Sequence, residues 1–165
     1  MQDISIRPFD KKDWDVLWSI IAPIFHAGET YTFSPDTNKE EAYKLWIDTP
    51  METFVATDIN NNILGTYYIK VNQPTLGAHI CNCGYIVSPD ARGIGIARNM
   101  CKHSQQEAIS RGFRGMQYNT VVSTNTRAIK LWESLGFEKI GIIPEGFNHK
   151  RLGFVDAHIM FKRLS

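Results

Sequence analysis

The sequence has no long apolar run and no excess of one charge. Its 165 residues hold 18 Lys and Arg against 17 Asp and Glu, so the formal net charge is +1. Proteins that bind duplex nucleic acid by counterion release carry a marked basic excess, so this class is excluded. The longest apolar run near the N-terminus, around residues 19–25, contains Pro23 and has no basic flank. It predicts neither a membrane span nor a signal peptide, and we expect a cytoplasmic protein.

Cysteine is scarce, and the three present cannot form a closed disulfide framework. Reduced thiols fit a reducing compartment. Cys81 and Cys83 lie two apart on a predicted strand, where their Cα atoms are about 6.6 Å apart, the outer limit for a disulfide. His79 shares their strand face, but the usual zinc spacings are absent. We therefore expect no metal, and we expect the cysteines to be small buried side chains.

Repeats, low-complexity tracts and linkers are absent too. The length falls within the roughly 100 to 200 residues typical of one domain, so we expect a single domain over residues 1–165. Pro23 is expected to kink or shorten the first helix. Apolar periodicity predicts an α/β protein, a mixed sheet with helices on its faces. The predicted order is strand (3–9), helices (11–28 and 38–47), strands (53–57, 63–71 and 79–87), helix (93–111), strand (116–122), helix (125–136) and strands (137–143 and 153–164).

A glycine-rich turn follows the strand that ends at Val87. Gly93 and Gly95 open a helix there, and Arg92 and Arg98 flank them. Successive backbone N–H groups at the positive end of a helix form a nest that suits a diphosphate. A P-loop is disfavoured because no Lys followed by Ser or Thr comes after Gly95; a dinucleotide site is disfavoured because the third glycine is missing. Glycines that only begin a helix are the remaining alternative.

Two motifs carry a family resemblance. The first fits the pattern Arg or Gln, two residues, Gly, one residue, Gly or Ala, and is formed by Arg92, Gly93, Ile94, Gly95, Ile96 and Ala97. The second is NTRAIKLWESLGFEKIG, an Asn followed by an apolar helix and then Gly-Phe leading into a strand. In this order and at this separation they resemble the GCN5-related N-acetyltransferase (GNAT) superfamily. The resemblance covers nearly the whole chain.

The resemblance implies the GNAT fold and acetyl-CoA as cosubstrate. That fold has about seven mostly antiparallel strands, splayed between the fourth and fifth, and four helices. The thioester would sit in the gap. The main chain of the strand ending at Ile86 and Val87 would pair with the pantetheine arm, and the amides of residues 93–98 would hold the pyrophosphate. Asn125 would hydrogen-bond the cofactor.

The family's usual base and acid positions are both altered. An alkylamine with a pKa of about 10.4 is neutral in about one molecule in a thousand near pH 7.4, a penalty of roughly 4 kcal/mol that a base could relieve. Several relatives carry a Glu where Asn82 stands, so Glu29 and His79 are the candidate bases, acting through water. Trp132 replaces the Tyr that protonates the thiolate in many relatives, and an indole cannot act as an acid at this pH. Tyr85 is an alternative phenol that could equally be packing.

Within the superfamily, the stretch CNCG, the spacing in NTVVSTN and the ending GFVDAHIMFKRL are similar to acetyltransferases of azetidine-2-carboxylate and related amino acids. The likeness to phosphinothricin acetyltransferases is looser. The first comparison implies that Asn82 and Asn119 orient the acceptor and polarise the thioester oxygen; the alternative is that both satisfy backbone groups where the sheet splays. His149, Lys150 and Arg151, on a predicted loop, could bind a substrate carboxylate or form a solvated charge run.

We therefore expect an N-acetyltransferase acting on the amine of a small, amino-acid-like molecule, with no nucleic-acid or membrane partner. A non-catalytic acyl-CoA-binding module and an acetyltransferase of protein amines are the alternatives. An aminoglycoside acceptor would favour an acidic wall, and the sequence has no cluster of Asp and Glu to build one. The sequence leaves a homodimer open.

Overall fold

The computed structural model describes residues 3–164, in which seven strands and four helices form one mixed sheet with helices on both faces. The strands are β1 (Ser5–Pro8), β2 (Glu52–Thr57), β3 (Ile63–Val71), β4 (Ile80–Val87), β5 (Gly115–Val122), β6 (Glu138–His149) and β7 (Gly153–Arg163). The helices are α1 (Trp14–Ala27), α2 (Lys39–Tyr43), α3 (Ile96–Ser110) and α4 (Thr126–Ser134). The sheet order is β1-β2-β3-β4-β5-β7-β6. This architecture confirms the fold expected from the sequence.

The two faces of the sheet bury different cores. Because side chains alternate along a strand, residues two apart point to the same face. On the face covered by α1 and α2, Leu17, Trp46 and Tyr68 are buried in one apolar cluster. On the face covered by α3 and α4, Met100 and Trp132 are buried in another. We call these the α1 face and the α3 face.

The first two helices begin and end at clear signals. Asp10 caps the turn before α1 and Asn38 caps α2, each in a capping box. Gly28 ends α1 with a left-handed φ of 63°. Pro23 lies inside α1, which continues to Ala27, so of the two expected effects, a kink or a shortening, the shortening does not occur. The last turn of α1 is instead ended by the glycine.

Helix α3 starts later than expected, at Ile96 rather than residue 93. Gly93 and Gly95 have φ values of 85° and 88°, which lie outside the helical region and which residues with a Cβ rarely adopt. The glycines therefore shape a turn in front of the helix. Even α3, with 15 residues, cannot cross a membrane, and no other helix within residues 3–164 is long and apolar enough to do so.

Strand β6 is longer than its apolar pattern indicated. It was expected to end at residue 143, but it continues to His149. The register shifts between Ile143 and Phe147, and pairing with β7 then resumes from Phe147↔Val155 to His149↔Gly153. A break of this kind lets a strand bend without ending. The predicted loop is thus reduced to a tight turn over residues 150–152.

The sheet is antiparallel except where β4 meets β5. These strands pair in parallel only at Ile80↔Gly115 and Cys81↔Met116, and the rest of β4 then has no strand partner on that side. Strand β5 remains paired with β7 beyond this point, with a register shift between Tyr118 and Val121. A gap therefore opens toward the carboxyl ends of β4 and β5, where the resemblance places the splay.

Candidate active site

A cavity of about 850 Å³ passes through the gap between β4 and β5. Its wall is formed by the starts of α3 and α4, by the segment between α1 and α2, and by the parts of β3, β4 and β5 that lie beside the gap. Most of the residues expected to bind the cofactor or the acceptor line it: Asn82, Ile86, Val87, Arg92, Gly93, Gly95, Ile96, Ala97, Arg98, Asn119, Asn125 and Trp132. Ile94, Glu29 and His79 do not.

The glycine turn presents free amides at one end of this cavity. No backbone hydrogen bond occupies the amides of residues 93–95, and the first α3 bond is Asn99 N–H to Gly95 C=O, at 3.0 Å. The amides of the first helical turn are therefore unpaired as well. A Cβ built on Gly95 would meet no atom within 4 Å, so the space above the turn is open. Together with the helix dipole, these groups form an anion site.

The main chain of β4 offers a second row of polar groups. Ser88 N–H donates to Leu64 C=O, so every second residue of β4 counted back from Ser88 points its main-chain N–H and C=O toward β3. Ile86 is in step with Ser88, and its main chain is used in that ladder. The groups that face the gap belong to Tyr85 and Val87. The expected pairing of a ligand with Ile86 is therefore corrected: Ile86 contributes its side chain to the cavity wall.

Asn82 bridges the gap at the point where strand pairing ends. Its side chain is 7% exposed, and Nδ2 donates to Gln117 C=O on β5 at 2.9 Å. This bond satisfies a carbonyl that a paired strand would otherwise satisfy. Oδ1 accepts no hydrogen bond from residues 3–164, yet it is not a fully buried unpaired atom. It is therefore accessible from the cavity as an acceptor.

Asn119 lies on the same face as Gln117, nearer the mouth of the cavity. Its Nδ2 donates to Asn72 Oδ1 at 2.7 Å, and its Oδ1 accepts from Gln117 Nε2 at 3.0 Å. Asn119 is exposed, and both ends of its amide are engaged. In this structure it braces the wall of the cavity.

The segment between α1 and α2 closes the α1 face of the cavity. Tyr31 reaches across and donates its hydroxyl to Tyr85 C=O at 2.7 Å. Its ring stacks on Phe33 with centroids 5.9 Å apart. Burial raises the pKa of Tyr31 well above its usual value, so the hydroxyl stays a donor. Tyr31 therefore both forms a wall and satisfies one gap-facing carbonyl.

Trp132 forms the opposite wall, on the α3 face. Its ring lies 5.0 Å from that of Tyr85 and 5.2 Å from that of Tyr118. The hydroxyls of the two tyrosines bond each other at 2.9 Å, and Tyr85 also bonds Ser104 Oγ at 2.7 Å. Burial raises the pKa of both phenols well above the ordinary value. Tyr85 is thus held in a buried network, which makes it a poor proton donor.

Asn125 caps α4. Its Oδ1 accepts from Ala128 N–H at 3.3 Å, so the residue has a structural role in addition to any contact with a ligand. Its Nδ2 has no partner within residues 3–164, and the side chain borders the cavity. One amide can therefore cap the helix and still donate into the cavity.

The candidate bases Glu29 and His79 lie outside the cavity. Glu29 Oε1 accepts from Arg151 Nε at 2.5 Å. His79 is exposed and precedes β4 at the end where β4 and β5 are paired, away from the gap. His79 therefore has no access to an acceptor in the gap, and the Glu29 carboxylate is engaged outside it.

The cations of the β6–β7 turn are engaged elsewhere. His149 is 4% exposed, and its Nδ1 accepts from the amides of Arg151 and Leu152, both at 3.2 Å. Lys150 Nζ donates to His26 C=O at 2.9 Å. None of the three residues from 149 to 151 lines the cavity. Of the two alternatives for these residues, a carboxylate site therefore finds no support at this cavity.

The charge of the cavity is entirely positive. Among residues 3–164, its wall includes no Asp, Glu or His, and it includes five basic side chains: Lys70, Arg92, Arg98, Arg127 and Lys130. Sequence reasoning missed Lys70, Arg127 and Lys130, as well as Tyr68. The signal for Lys70 was its place as the one charged residue in an otherwise uncharged strand, in step with Tyr68.

Within residues 3–164, no three His, Cys, Asp or Glu side chains gather as metal ligands. Cys81, Cys83 and Cys101 are free and buried. Burial raises the pKa of the Cys83 thiol well above its usual value, so Cys83 lines the cavity as a neutral group. These cysteines serve as small core side chains.

Comparisons with known proteins agree with this geometry. The model of the acetyltransferase (GNAT) family matches residues 14–137. N-acetyltransferase aca1 of Schizosaccharomyces pombe is 34% identical over 148 residues, covering 80% of this chain and 71% of the relative. A GCN5-related N-acetyltransferase from Kribbella flavida has a TM-score of 0.92 at 39% identity, with 98% of each chain covered. A phosphinothricin acetyltransferase from Sinorhizobium meliloti, solved with AcCoA, shares the fold with a TM-score of 0.86 at 19% identity, over 98% of this chain and 89% of that one.

Proposed function

The chain belongs to the acetyltransferase (GNAT) family and is an N-acetyltransferase, and we propose that it transfers acetyl from acetyl-CoA to the amine of a small, amino-acid-like acceptor. The observation that carries the proposal is the gap between β4 and β5. It has free amides at one end, main-chain polar groups along one edge and an acceptor-sized cavity on the α1 face. Donor and acceptor would meet in it as a ternary complex.

Acetyl-CoA fits the cationic end of the cavity. Its pyrophosphate would accept hydrogen bonds from the amides of residues 93–98 at the positive end of α3. Arg92 and Arg98 add charge there, and Arg98 is steadied by a 3.0 Å bond to Ser134 Oγ. The amide-bearing pantetheine arm would then run along the gap, where Tyr85 and Val87 present main-chain groups as an unpaired strand edge does. Asn125 Nδ2 is placed to donate to the arm.

The transfer needs the acceptor nitrogen at the thioester carbonyl. The amine attacks the carbonyl carbon, a C–N bond forms, the C–S bond breaks and the sulfur leaves as a thiolate. Asn82 Oδ1 would accept an N–H of the amine and orient its lone pair, while Asn119 borders the acceptor. The proton lost by the amine goes to solvent. Trp132 can donate a hydrogen bond to the departing sulfur, and solvent protonates it, since a thiol pKa is about 8.5.

The cationic cavity compensates in part for the missing base. Within residues 3–164, no carboxylate or imidazole lines it. A positive environment disfavours a second positive charge, so it lowers the pKa of an ammonium ion that enters. The acceptor is thereby shifted toward the neutral form that can attack. The same field disfavours polycations such as polyamines and aminoglycosides.

A thiol-release assay tests the proposal. Free CoA is followed with a thiol reagent while acetyl-CoA is incubated with amino acids, proline analogues and phosphinothricin, with polyamines and a peptide mixture as contrasts. We expect stimulated release with amino acids only. If acetyl-CoA raises the melting temperature but no amine stimulates release, the protein is an acyl-CoA-binding module. Release with the peptide mixture alone would identify a protein amine as the acceptor.

Gly95→Ala should weaken acetyl-CoA binding. The new Cβ would enter the open space above the turn, and a left-handed φ costs about 1–2 kcal/mol for a residue with a Cβ. We expect the Kd from calorimetry to rise about tenfold, equivalent to about 1.4 kcal/mol. Gly112→Ala is the matched control, because Gly112 has a φ of 83° and open space at the far end of α3. Equal Kd values for the two variants would contradict the anion site.

Asn82→Ala should reduce turnover far more than acetyl-CoA binding. Loss of one positioned polar group at a reacting centre typically costs about 10² to 10³ in kcat. We expect a loss of that order, with the Kd for acetyl-CoA nearly unchanged. If Asn82 serves only to bridge β4 to Gln117, turnover, cofactor affinity and melting temperature will instead fall together, and its role toward the acceptor is then refuted.

The dependence of kcat/KM on pH should reflect the pKa of the acceptor amine and not the pKa of a protein side chain. Because no His, Asp or Glu in the described part of the chain, residues 3–164, lines the cavity, kcat/KM should rise tenfold per pH unit until the acceptor amine loses its proton. With an acceptor of lower amine pKa, the rising part of the kcat/KM curve should shift to lower pH by the difference between the two amine pKa values. A limb near pH 6 to 7 that stays fixed when the acceptor changes would reveal a protein base.

A further inference from the structure

Three polar groups on the α1 face of the cavity have no partner in the protein. They are the Tyr68 hydroxyl, Lys70 Nζ and Asn82 Oδ1, and within residues 3–164 none makes a hydrogen bond or an ion pair. Tyr68 is only 5% exposed and Asn82 only 7% exposed. None of the three atoms is fully buried, so each can be reached from the cavity, and polar atoms that converge on one cavity without a partner within residues 3–164 suit a ligand that supplies the partners.

The strand register places these groups side by side. Lys70 stands directly opposite Asn82, and Tyr68 directly opposite Gly84, in the β3–β4 ladder. The two residues of each such pair have Cα atoms about 5.5 Å apart, and neighbours on one strand face are about 6.6 to 6.8 Å apart. The three groups therefore start from one patch of sheet, small enough for a single amino acid to cover.

Tyr68 is fixed by the glycine across from it. A Cβ on Gly84 would lie 2.7 Å from two ring carbons of Tyr68 and 2.8 Å from its hydroxyl oxygen. The ring can lie flat against β4 only because that Cβ is absent. Burial raises the pKa of the Tyr68 hydroxyl above its usual value, so the hydroxyl remains protonated and can donate a hydrogen bond. Lys70 Nζ lies 5.3 Å from the centre of the same ring.

The charge on Lys70 has no counterion. Among residues 3–164, no Asp or Glu lines the cavity, and Lys70 takes part in none of the ion pairs. A half-buried ammonium without an anion favours a ligand that supplies one. An ammonium and a neighbouring hydroxyl, both donors, match the two oxygens of a carboxylate. The Asn82 oxygen, an acceptor beside them, matches an amine.

We propose that Lys70 and Tyr68 bind the carboxylate of the acceptor while Asn82 receives its amine, so that the acceptors are α-amino acids, which carry the two groups on one carbon. The inference rests on the proposed acetyl transfer and names the substrate class of that site. It assigns the carboxylate to β3, and the cations of the β6–β7 turn remain structural. A polyamine would place a second cation against Lys70 and is rejected.

The test compares proline with prolinamide, which keeps the ring amine and lacks the carboxylate. A hydrogen bond to a charged group contributes about 1.5–3 kcal/mol, or about 10- to 150-fold. We expect wild type to prefer the acid by at least that factor in kcat/KM. Lys70→Met should abolish the preference by raising KM for the acid far more than KM for the amide. Lys70→Arg should restore most of it, and Tyr68→Phe should reduce it in part.

Lys102→Met, at an exposed position on α3, is the matched control and should change nothing. Melting temperatures identify any variant that fails to fold. If Lys70→Met fails to fold, the carboxylate site is tested by Tyr68→Phe and by the wild-type ratio of kcat/KM for proline to kcat/KM for prolinamide. Equal use of acid and amide by wild type, or equal loss of both in Lys70→Met, would overturn the carboxylate site while leaving acetyl transfer intact. If the protein binds acetyl-CoA but no amine stimulates the release of CoA, both the proposed function and this inference are refuted.

Discussion

The early end of strand pairing between β4 and β5 is the constraint on which the site depends. After two paired positions, the main-chain groups of Tyr85 and Val87 face a gap, and buried main-chain groups need partners. One carbonyl is satisfied by the Tyr31 hydroxyl, and Asn82 satisfies Gln117 from the other strand. The remaining groups form an edge suited to an extended ligand that carries its own amides. A sheet paired along its full length would leave no such edge.

Both ends of the cavity carry positive charge. At the start of α3, free amides and two arginines suit a diphosphate, and at β3 the unpaired Lys70 suits a carboxylate. With no acidic side chain between them, both ends attract anions. In the proposed complex, the acceptor amine would lie between two cationic groups, which would lower its pKa. The same arrangement of charge would then serve donor binding, acceptor choice and amine activation.

The parts of the site that were predictable from sequence are those set by local chain geometry. The glycine turn was identified because two glycines flanked by arginines form a pattern that is readable over six residues. Asn125, Asn82 and Asn119 were identified through short stretches that resemble those of the GNAT superfamily and its amino-acid branch. These inferences needed no knowledge of distant neighbours.

The remainder depended on tertiary pairing. Whether Ile86 or Val87 faces the gap is set by the register with β3, which a one-residue shift would reverse. Glu29 became unsuitable as a base through Arg151, 122 positions away. Lys70 is marked in the sequence as the one charged residue of its strand, but its lack of an anionic partner within residues 3–164 could be seen only in the folded structure.

We propose that the gap between β4 and β5 is the binding path of acetyl-CoA, and a crystal structure of the acetyl-CoA complex would decide it. We expect the pyrophosphate on the amides of residues 93–98, the pantetheine arm along Tyr85 and Val87, and the acetyl group beside Asn82. A cofactor bound outside the gap, or strands β4 and β5 closed on each other in the complex, would contradict it.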